Sequence, residues 1–300
     1  MKINWPGIWE VVKSAFVAAE PDLKKSATDI ATNVVDNKSK VVGNSRLGRR
    51  YGHIKDTFNP NHKVMQVPHF NAGELPTSFS NIDLMVPIYD QLNTSSCTGN
   101  SYLAQIEAER IRQGLPALNG SRLFPYYNGR LVEGNTSQDC GAQICDVQAG
   151  GNRYGVCLES SYPFSQDNVT VQPSPLAYSE ALKFKTINFQ KVPQSIPVIK
   201  YLLSQRYTVN LGIQVYESFE SDEVARTGIV PMPDKVKEQL MGGHAVLIIG
   251  FSDDTQTFLV RNSWGSGWGQ QGGYFTLPYS YVADPSLASD LWVVEQVQSC

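Results

Sequence analysis

Helix-forming and strand-forming stretches are segregated along this 300-residue chain, and that segregation limits the folds open to it. In residues 95–114 the apolar Tyr102, Leu103, Ile106 and Ile111 recur at helical spacing among Glu107, Glu109, Arg110 and Arg112. Ser95 or Ser96 offers the N-cap, and Gly114-Leu115-Pro116 the stop. From Ile187 onward the signals turn to strands, over residues 208–215, 244–251, 257–261 and 274–277. Residues 119–175, rich in Gly and Tyr, read as loop. Helices first and sheet second predict an α+β protein with two lobes.

Residues 1–74 read differently from residues 75–300. They are polar and free of cysteine, with one amphipathic helix over 6–19 bearing Ile8, Val11, Val12, Phe16 and Val17, and a weaker one from Asp22. Residues 43–73 carry Asn, Gly, Pro and the basic Arg46, Arg49, Arg50 and Lys55, which predicts an extended, poorly structured stretch. The organisation expected is therefore a lead segment, 1–74, followed by the main body, 75–300. Glu10 and Lys13 interrupt the apolar run a secretory signal would need, and no run approaches the length of a membrane span. Synthesis in the cytoplasm is expected, with export by another route left open. Twenty-five basic against 28 acidic side chains leave a charge of −3 without any block of one sign, which gives nucleic acid or an anionic membrane little to hold. A monomer is the default expectation.

Five cysteines are an odd number, so at least one thiol is unpaired within a monomer. Cys97 falls in the first turn of the predicted helix, where unsatisfied N–H groups and the helix dipole favour a thiolate. The competing reading is a small buried core residue. His53, His62 and His69 precede every cysteine, leaving His244 as the one histidine after Cys97. The strands holding His244 and Asn262 flank a Ser252-Asp253-Asp254-Thr255 turn, and equal distances from it would make the two cross-strand neighbours. An asparagine there fixes the imidazole tautomer and aims the other ring nitrogen at a nucleophile. Trp264 would cover that pair from water, unless it is simply packed. Gln91, six residues before Cys97, offers an amide N–H to a developing oxyanion, or is an ordinary surface glutamine. Asn-x-Ser/Thr sequons stand at Asn37, Asn93, Asn119, Asn135 and Asn168, and a glycan on Asn93 would obstruct Cys97.

Together these residues resemble the papain family of cysteine peptidases. The resemblance rests on Gln91 before Cys97, on Gly242-Gly243-His244-Ala245-Val246, and above all on Asn262-Ser263-Trp264-Gly265-Ser266-Gly267-Trp268-Gly269 with Gly273-Tyr274. His244 follows Cys97 within the family's range of about 130–150 residues, and Asn262 slightly beyond it. Leu75-Pro76 resembles the usual mature start, and Tyr154-Gly155-Val156-Cys157 a stretch common in bacterial, archaeal and viral variants. The resemblance implies a papain-like fold, a helical lobe and a β-rich, barrel-like lobe with the cleft between them. It implies Cys97 as nucleophile and His244 as base and acid, in a thiolate–imidazolium pair, with Asn262 as orienter and Gln91 as oxyanion donor. Peptide or protein substrates follow, and no metal or organic cofactor. Trp264, Gly141 and Ala245 would line the substrate cleft, Gly141 through its backbone and Ala245 as a pocket wall. Where the family carries a partner cysteine before the nucleophile this chain has Thr94, so that disulfide cannot form; Cys140 and Cys145 are near enough in sequence to pair. The lead segment lacks the long helical motif of the usual proregion, yet would still cross the cleft as an inhibitory prosegment, with Arg49-Arg50 a cleavage point. Two rivals stand beside a zymogen peptidase: a silent peptide-binding relative, and acyl transfer by the same triad.

Overall fold

The computed structural model describes residues 48–299. The helices expected at 6–19 and from Asp22, together with Arg46 and Cys300, lie outside the described residues. Five helices matter for the site: α1 (Cys97–Arg112), α2 (Leu123–Glu133), α3 (Ile144–Tyr154), α4 (Pro175–Ala181) and α5 (Ile196–Ser204). The strands are β1 (His53–Ile54), β2 (Ser78–Ser80), β3 (Ala142–Gln143), β4 (Thr186–Lys191), β5 (Val209–Tyr216), β6 (Leu240–Ser252), β7 (Thr257–Arg261), β8 (Tyr274–Pro278) and β9 (Ala288–Val297). No helix among the described residues is long and apolar enough to cross a membrane.

Two cores correspond to two lobes. In the helical lobe Tyr102, Leu103 and Ile106 of α1 pack with Phe124 and Tyr126 of α2 and Val147 of α3. The β lobe is built on a sheet of order β4-β9-β5-β6-β7-β8, with β2 joining β6, over a core that includes Leu211, Ile213, Ile248, Phe258, Val260 and Phe275. The α+β class expected from the segregated sequence is the observed one. The barrel-like expectation is corrected: the outer strands β4 and β8 are not paired with each other, so the sheet stays open. Phe189 of β4 packs toward the helical core and toward Trp292.

The stretch 119–175, expected as loop, holds α2 and α3. Gly129, Gly150 and Gly151 lower the helical propensity of both segments, but packing requires Gly129 and Gly151. A Cβ on Gly129 would come within 2.6 Å of the Val147 side chain, and one on Gly151 within 1.6 Å of the Tyr102 hydroxyl. Strand β9, absent from the strand reading, lies between β4 and β5. Helix α1 is buried from Cys97 through Arg110, far more than a two-faced surface helix would be, because β6 and β9 cover one side and α2 the other.

The part of the lead segment that is described is extended, as expected, but it is firmly held. Residues 49–58 run between the lobes, with β1 parallel to β3 in the register His53–Ala142 and Ile54–Gln143. Tyr51 and His53 are buried. Farther on, Val64 bridges Lys191 and Phe70 stacks on Tyr201.

Candidate active site

Cys97 is the first residue of α1 and has no exposed surface. Ser96 occupies the N-cap position without a side-chain capping bond, because its hydroxyl is engaged by Thr94 at 2.7 Å and by Asn100 at 3.0 Å. Thr94 Oγ1 also donates to the Gln91 carbonyl at 2.7 Å. The Asp139 carboxylate accepts the Ser95 N–H at 3.0 Å and the Tyr126 hydroxyl at 2.7 Å. Hydrogen bonds thus hold the turn where Thr94 stands in place of the family's cysteine. Cys140 and Cys145 do not pair; they, Cys97 and Cys157 are all free thiols.

His244 Nε2 and Asn262 Oδ1 are 2.8 Å apart, in a buried contact. The route differs from the simple hairpin reading. The β6–β7 register pairs Leu247 with Arg261 and slips between Ile248 and Gly250, so His244 and Asn262 are displaced diagonally by two residues. A two-residue offset preserves the sheet face, and the amide spans the difference. Trp264 stacks on His244, with centroids 5.0 Å apart and planes at 30°, and shields the pair from water. His244 Nδ1 has no hydrogen-bond partner, so it is not bonded to the Cys97 sulfur in this covered state.

Gln91 is fully buried. Its Oε1 accepts from Ser263 Oγ at 2.7 Å, which aims Nε2 at the Arg50 carbonyl, 3.1 Å away, and the Thr94 carbonyl, 2.8 Å away. Ser263 lies inside the glycine-tryptophan string but had no role assigned from sequence. Asp139, which braces the turn before Cys97, carried no sequence signal at all.

The lead segment lies directly on this site. Arg49 pairs with Asp90 and donates to the Trp264 carbonyl at 3.2 Å. Arg50 pairs with Asp139 at 3.4 Å, and Tyr51 bonds Glu220 and meets the His244 ring edge-on at 6.0 Å. The Gly52 N–H hydrogen-bonds the Cys97 sulfur, as do those of Ala245 and Thr98. Gly141, at φ +84, faces the Gly52 carbonyl, and Ala142 N–H donates to that carbonyl at 2.9 Å. Ala245 is buried in a cluster with Cys97, Ile144, Cys145 and Trp292. Trp264, Gly141 and Ala245 are thus gathered around the cleft.

Burial dominates the charge state of this covered site. It pushes the Cys97 thiol up to about 11, against the three N–H donors. That rise corresponds to about 3 kcal/mol, whereas a helix terminus contributes only about 0.3–1 kcal/mol to a charge. Burial also lowers His244 to about 4, opposed by its bond to Asn262 and reinforced by His53 and Arg49. Both shifts favour the uncharged forms of Cys97 and His244 while the cleft is covered; the thiolate–imidazolium pair that the family resemblance implies belongs to the open site. While covered, His244 cannot take up the proton it would bind when exposed, so the covered state loses stability as pH falls from about 6.5 toward 4. Alkylation of Cys97 in the full chain, compared with a free thiol at equal thiolate fraction, should accelerate across that acidic window. A flat ratio would show that His244 does not govern access.

A family model, papain family cysteine protease, matches residues 80–289. The chain belongs to the papain family. An uncharacterized peptidase C1-like protein of Acanthamoeba polyphaga mimivirus is 40% identical over 232 residues, 74% of this chain and 72% of that protein. Among solved structures, xylellain, a cysteine protease from Xylella fastidiosa, matches with 31% identity and a TM-score of 0.77, covering 87% of this chain and 97% of that one. A digestive procathepsin L 3 of Tenebrio molitor shares the fold at 17% identity and a TM-score of 0.62, covering 97% of this chain and 93% of that one. Cysteine proteinase 2 of Entamoeba histolytica is 24% identical over 63% of this chain, which spans 58% of that protein. This papain-family member is accordingly a thiol-dependent peptidase, a hydrolase acting on peptides or proteins.

Proposed function

We propose that hydrolysis runs through Cys97, His244 and Asn262 by way of an acyl-enzyme, and that residues 1–74 form an inhibitory prosegment ahead of a peptidase domain at 75–300. Cys97 Sγ attacks the scissile carbonyl carbon as its proton passes to His244 Nδ1. Asn262 Oδ1 accepts the Nε2–H at 2.8 Å, which keeps Nδ1 free for proton exchange. The same nitrogen then protonates the departing amine, and water cleaves the thioester in the mirror sequence. Gln91 Nε2 and the Cys97 N–H hold the developing oxyanion.

The observation that carries this reading is the occupant of the cleft. The Arg50 carbonyl sits on Gln91 Nε2 where a substrate carbonyl would be polarised, while the Gly52 N–H faces the Cys97 sulfur. That N–H is a donor, not an electrophile, so the segment fills the site without offering a bond to break. Labelling with a peptidyl epoxide, followed by mapping of the modified residue, tests the assignment. Cys97 is the expected site, with faster labelling once the lead segment is removed. Modification of Cys157 with Cys97 untouched would overturn it.

A further inference from the structure

Between α1 and the strands β6 and β7 lies a cavity of about 10 Å³, room for one water molecule. Asn100 and Ser101 line it from α1 and Asn262 from the end of β7, with Ala104 and Leu247 as apolar walls. Asn100 and Asn262 are almost wholly buried, and backbone groups fix how both amides are turned. The Ser96 carbonyl, which can only accept, lies 2.9 Å from one amide atom of Asn100, so that atom is Nδ2 and the remaining one is the acceptor Oδ1. The Ser263 N–H, which can only donate, lies 2.8 Å from the Asn262 atom that faces His244, so that atom is Oδ1 and the other is the donor Nδ2. Asn100 Oδ1 and Asn262 Nδ2 have no hydrogen-bond partner among the described residues. An acceptor and a donor, each costly to leave unpaired when buried, thus belong to side chains that border one water-sized space.

We propose that a single bound water joins Asn262 Nδ2 to Asn100 Oδ1, and that Asn100 is thereby a positioning residue for the His244–Asn262 pair. The water accepts from Asn262 Nδ2 and donates one proton to Asn100 Oδ1. Its second proton goes to Ser101 Oγ, which gives its own proton to the Thr98 carbonyl at 3.2 Å and keeps a lone pair. Three hydrogen bonds are typical of a buried water. The resulting chain runs from the Ser96 carbonyl, one residue before Cys97, through Asn100 and the water to Asn262 and His244 Nε2.

Position 100 is a poor place for an amide unless the acceptor is used. Asparagine has low propensity inside a helix, and burial strips its carbonyl of solvent. A leucine would suit the apolar Ala104 and Leu247 at the same cavity. What the water adds is control of orientation. Were the Asn262 amide to turn over, Nδ2 would face His244 Nε2, and the ring would carry its proton on Nδ1, the nitrogen that must receive the proton of Cys97. The Ser263 N–H holds the Oδ1 end against that turn, and the water holds the Nδ2 end.

This inference rests on the reading of Cys97, His244 and Asn262 as the reacting group, and the test keeps the two apart. A high-resolution crystal structure of the full chain should show a water within hydrogen-bond distance of both Asn262 Nδ2 and Asn100 Oδ1. Two variants remove that water in different ways: Asn100→Leu takes away its acceptor, and Ala104→Val fills the space while leaving Asn100 in place. At about pH 8, where a free imidazole is neutral, nitrogen NMR of the full chain should show His244 protonated on Nε2. In each variant the share of the Nδ1–H form should rise about tenfold, the equivalent of one lost hydrogen bond. Peptide hydrolysis should fall about tenfold in kcat with KM unchanged within about twofold, since the interaction lost serves the reacting group and not substrate binding. A merely structural role for Asn100 would lower the melting temperature and leave the tautomer where it was. A dry cavity in the crystal structure, or an unchanged His244 tautomer in either folded variant, would overturn the proposal. If the parent chain shows no Cys97-dependent cleavage, the proposed function fails, while the crystal structure and the tautomer comparison still decide the water.

Discussion

Replacing Cys97 with alanine should lower peptide hydrolysis by about 10⁴- to 10⁶-fold, the range of loss seen when a residue of a catalytic triad is removed elsewhere. Cys145 and Cys157 are poor substitutes. Burial, with the Glu180 carboxylate next in effect, pushes Cys157 up to about 12. Burial, followed by the charge of Asp56, raises Cys145 far beyond the thiol range. Neither begins a long helix with three N–H groups on its sulfur, as Cys97 does. The exchange removes one buried atom and should cost stability only about 1 kcal/mol. Circular dichroism and a thermal melt separate lost chemistry from lost fold. Substantial residual turnover by a folded Cys97→Ala chain would place the nucleophile elsewhere.

Gly52→Val in the full chain should do the opposite, raising hydrolysis about a hundredfold by expelling the lead segment. A Cβ at position 52 would fall 1.8 Å from the Ser95 carbonyl oxygen, and across the cleft a Cβ on Gly141 would fall 2.4 Å from the Gly52 carbonyl. Backbone crowds residue 52 from both sides, so no rotamer relieves the clash. Overpacking of this kind costs about 3 kcal/mol, and each 1.4 kcal/mol is a factor of ten in the open-to-covered ratio. The valine sits outside the proposed machinery once the segment has left, so initial rates read the change in cover directly. Equal rates and equal Cys97 alkylation in the two chains would show that residues 49–58 do not inhibit.

Of the site, the parts legible in the sequence were those written in local pattern. The cap-helix-stop signal marks the start of α1 and hence Cys97. The glycine-tryptophan string marks Asn262 and Trp264 at the end of β7. His244 followed from being the one histidine after Cys97, and its meeting with Asn262 survived a misjudged register because the error was two residues, one full period of the sheet. Ser263 was in view without a function, since its bond to Gln91 joins residues far apart in the chain. Asp139 gave no sign, because a loop aspartate is common and only the fold carries it to Ser95.

Local periodicity reports which face of an element is apolar, and so the sequence alone determined the α+β class and the central helix, and it singled out Cys97, His244, Asn262 and Gln91 as the residues proposed to carry the chemistry. It misread α2 and α3, whose glycines serve helix crossings and not turns. Tertiary structure decided the rest. It brought residues 49–58 into the cleft, favoured the uncharged forms of Cys97 and His244 by excluding water, and placed His53 on Asp290 across 237 positions of sequence. Desolvation and long-range packing depend on what closes over a residue from elsewhere in the chain, and no pattern of neighbours in sequence records that.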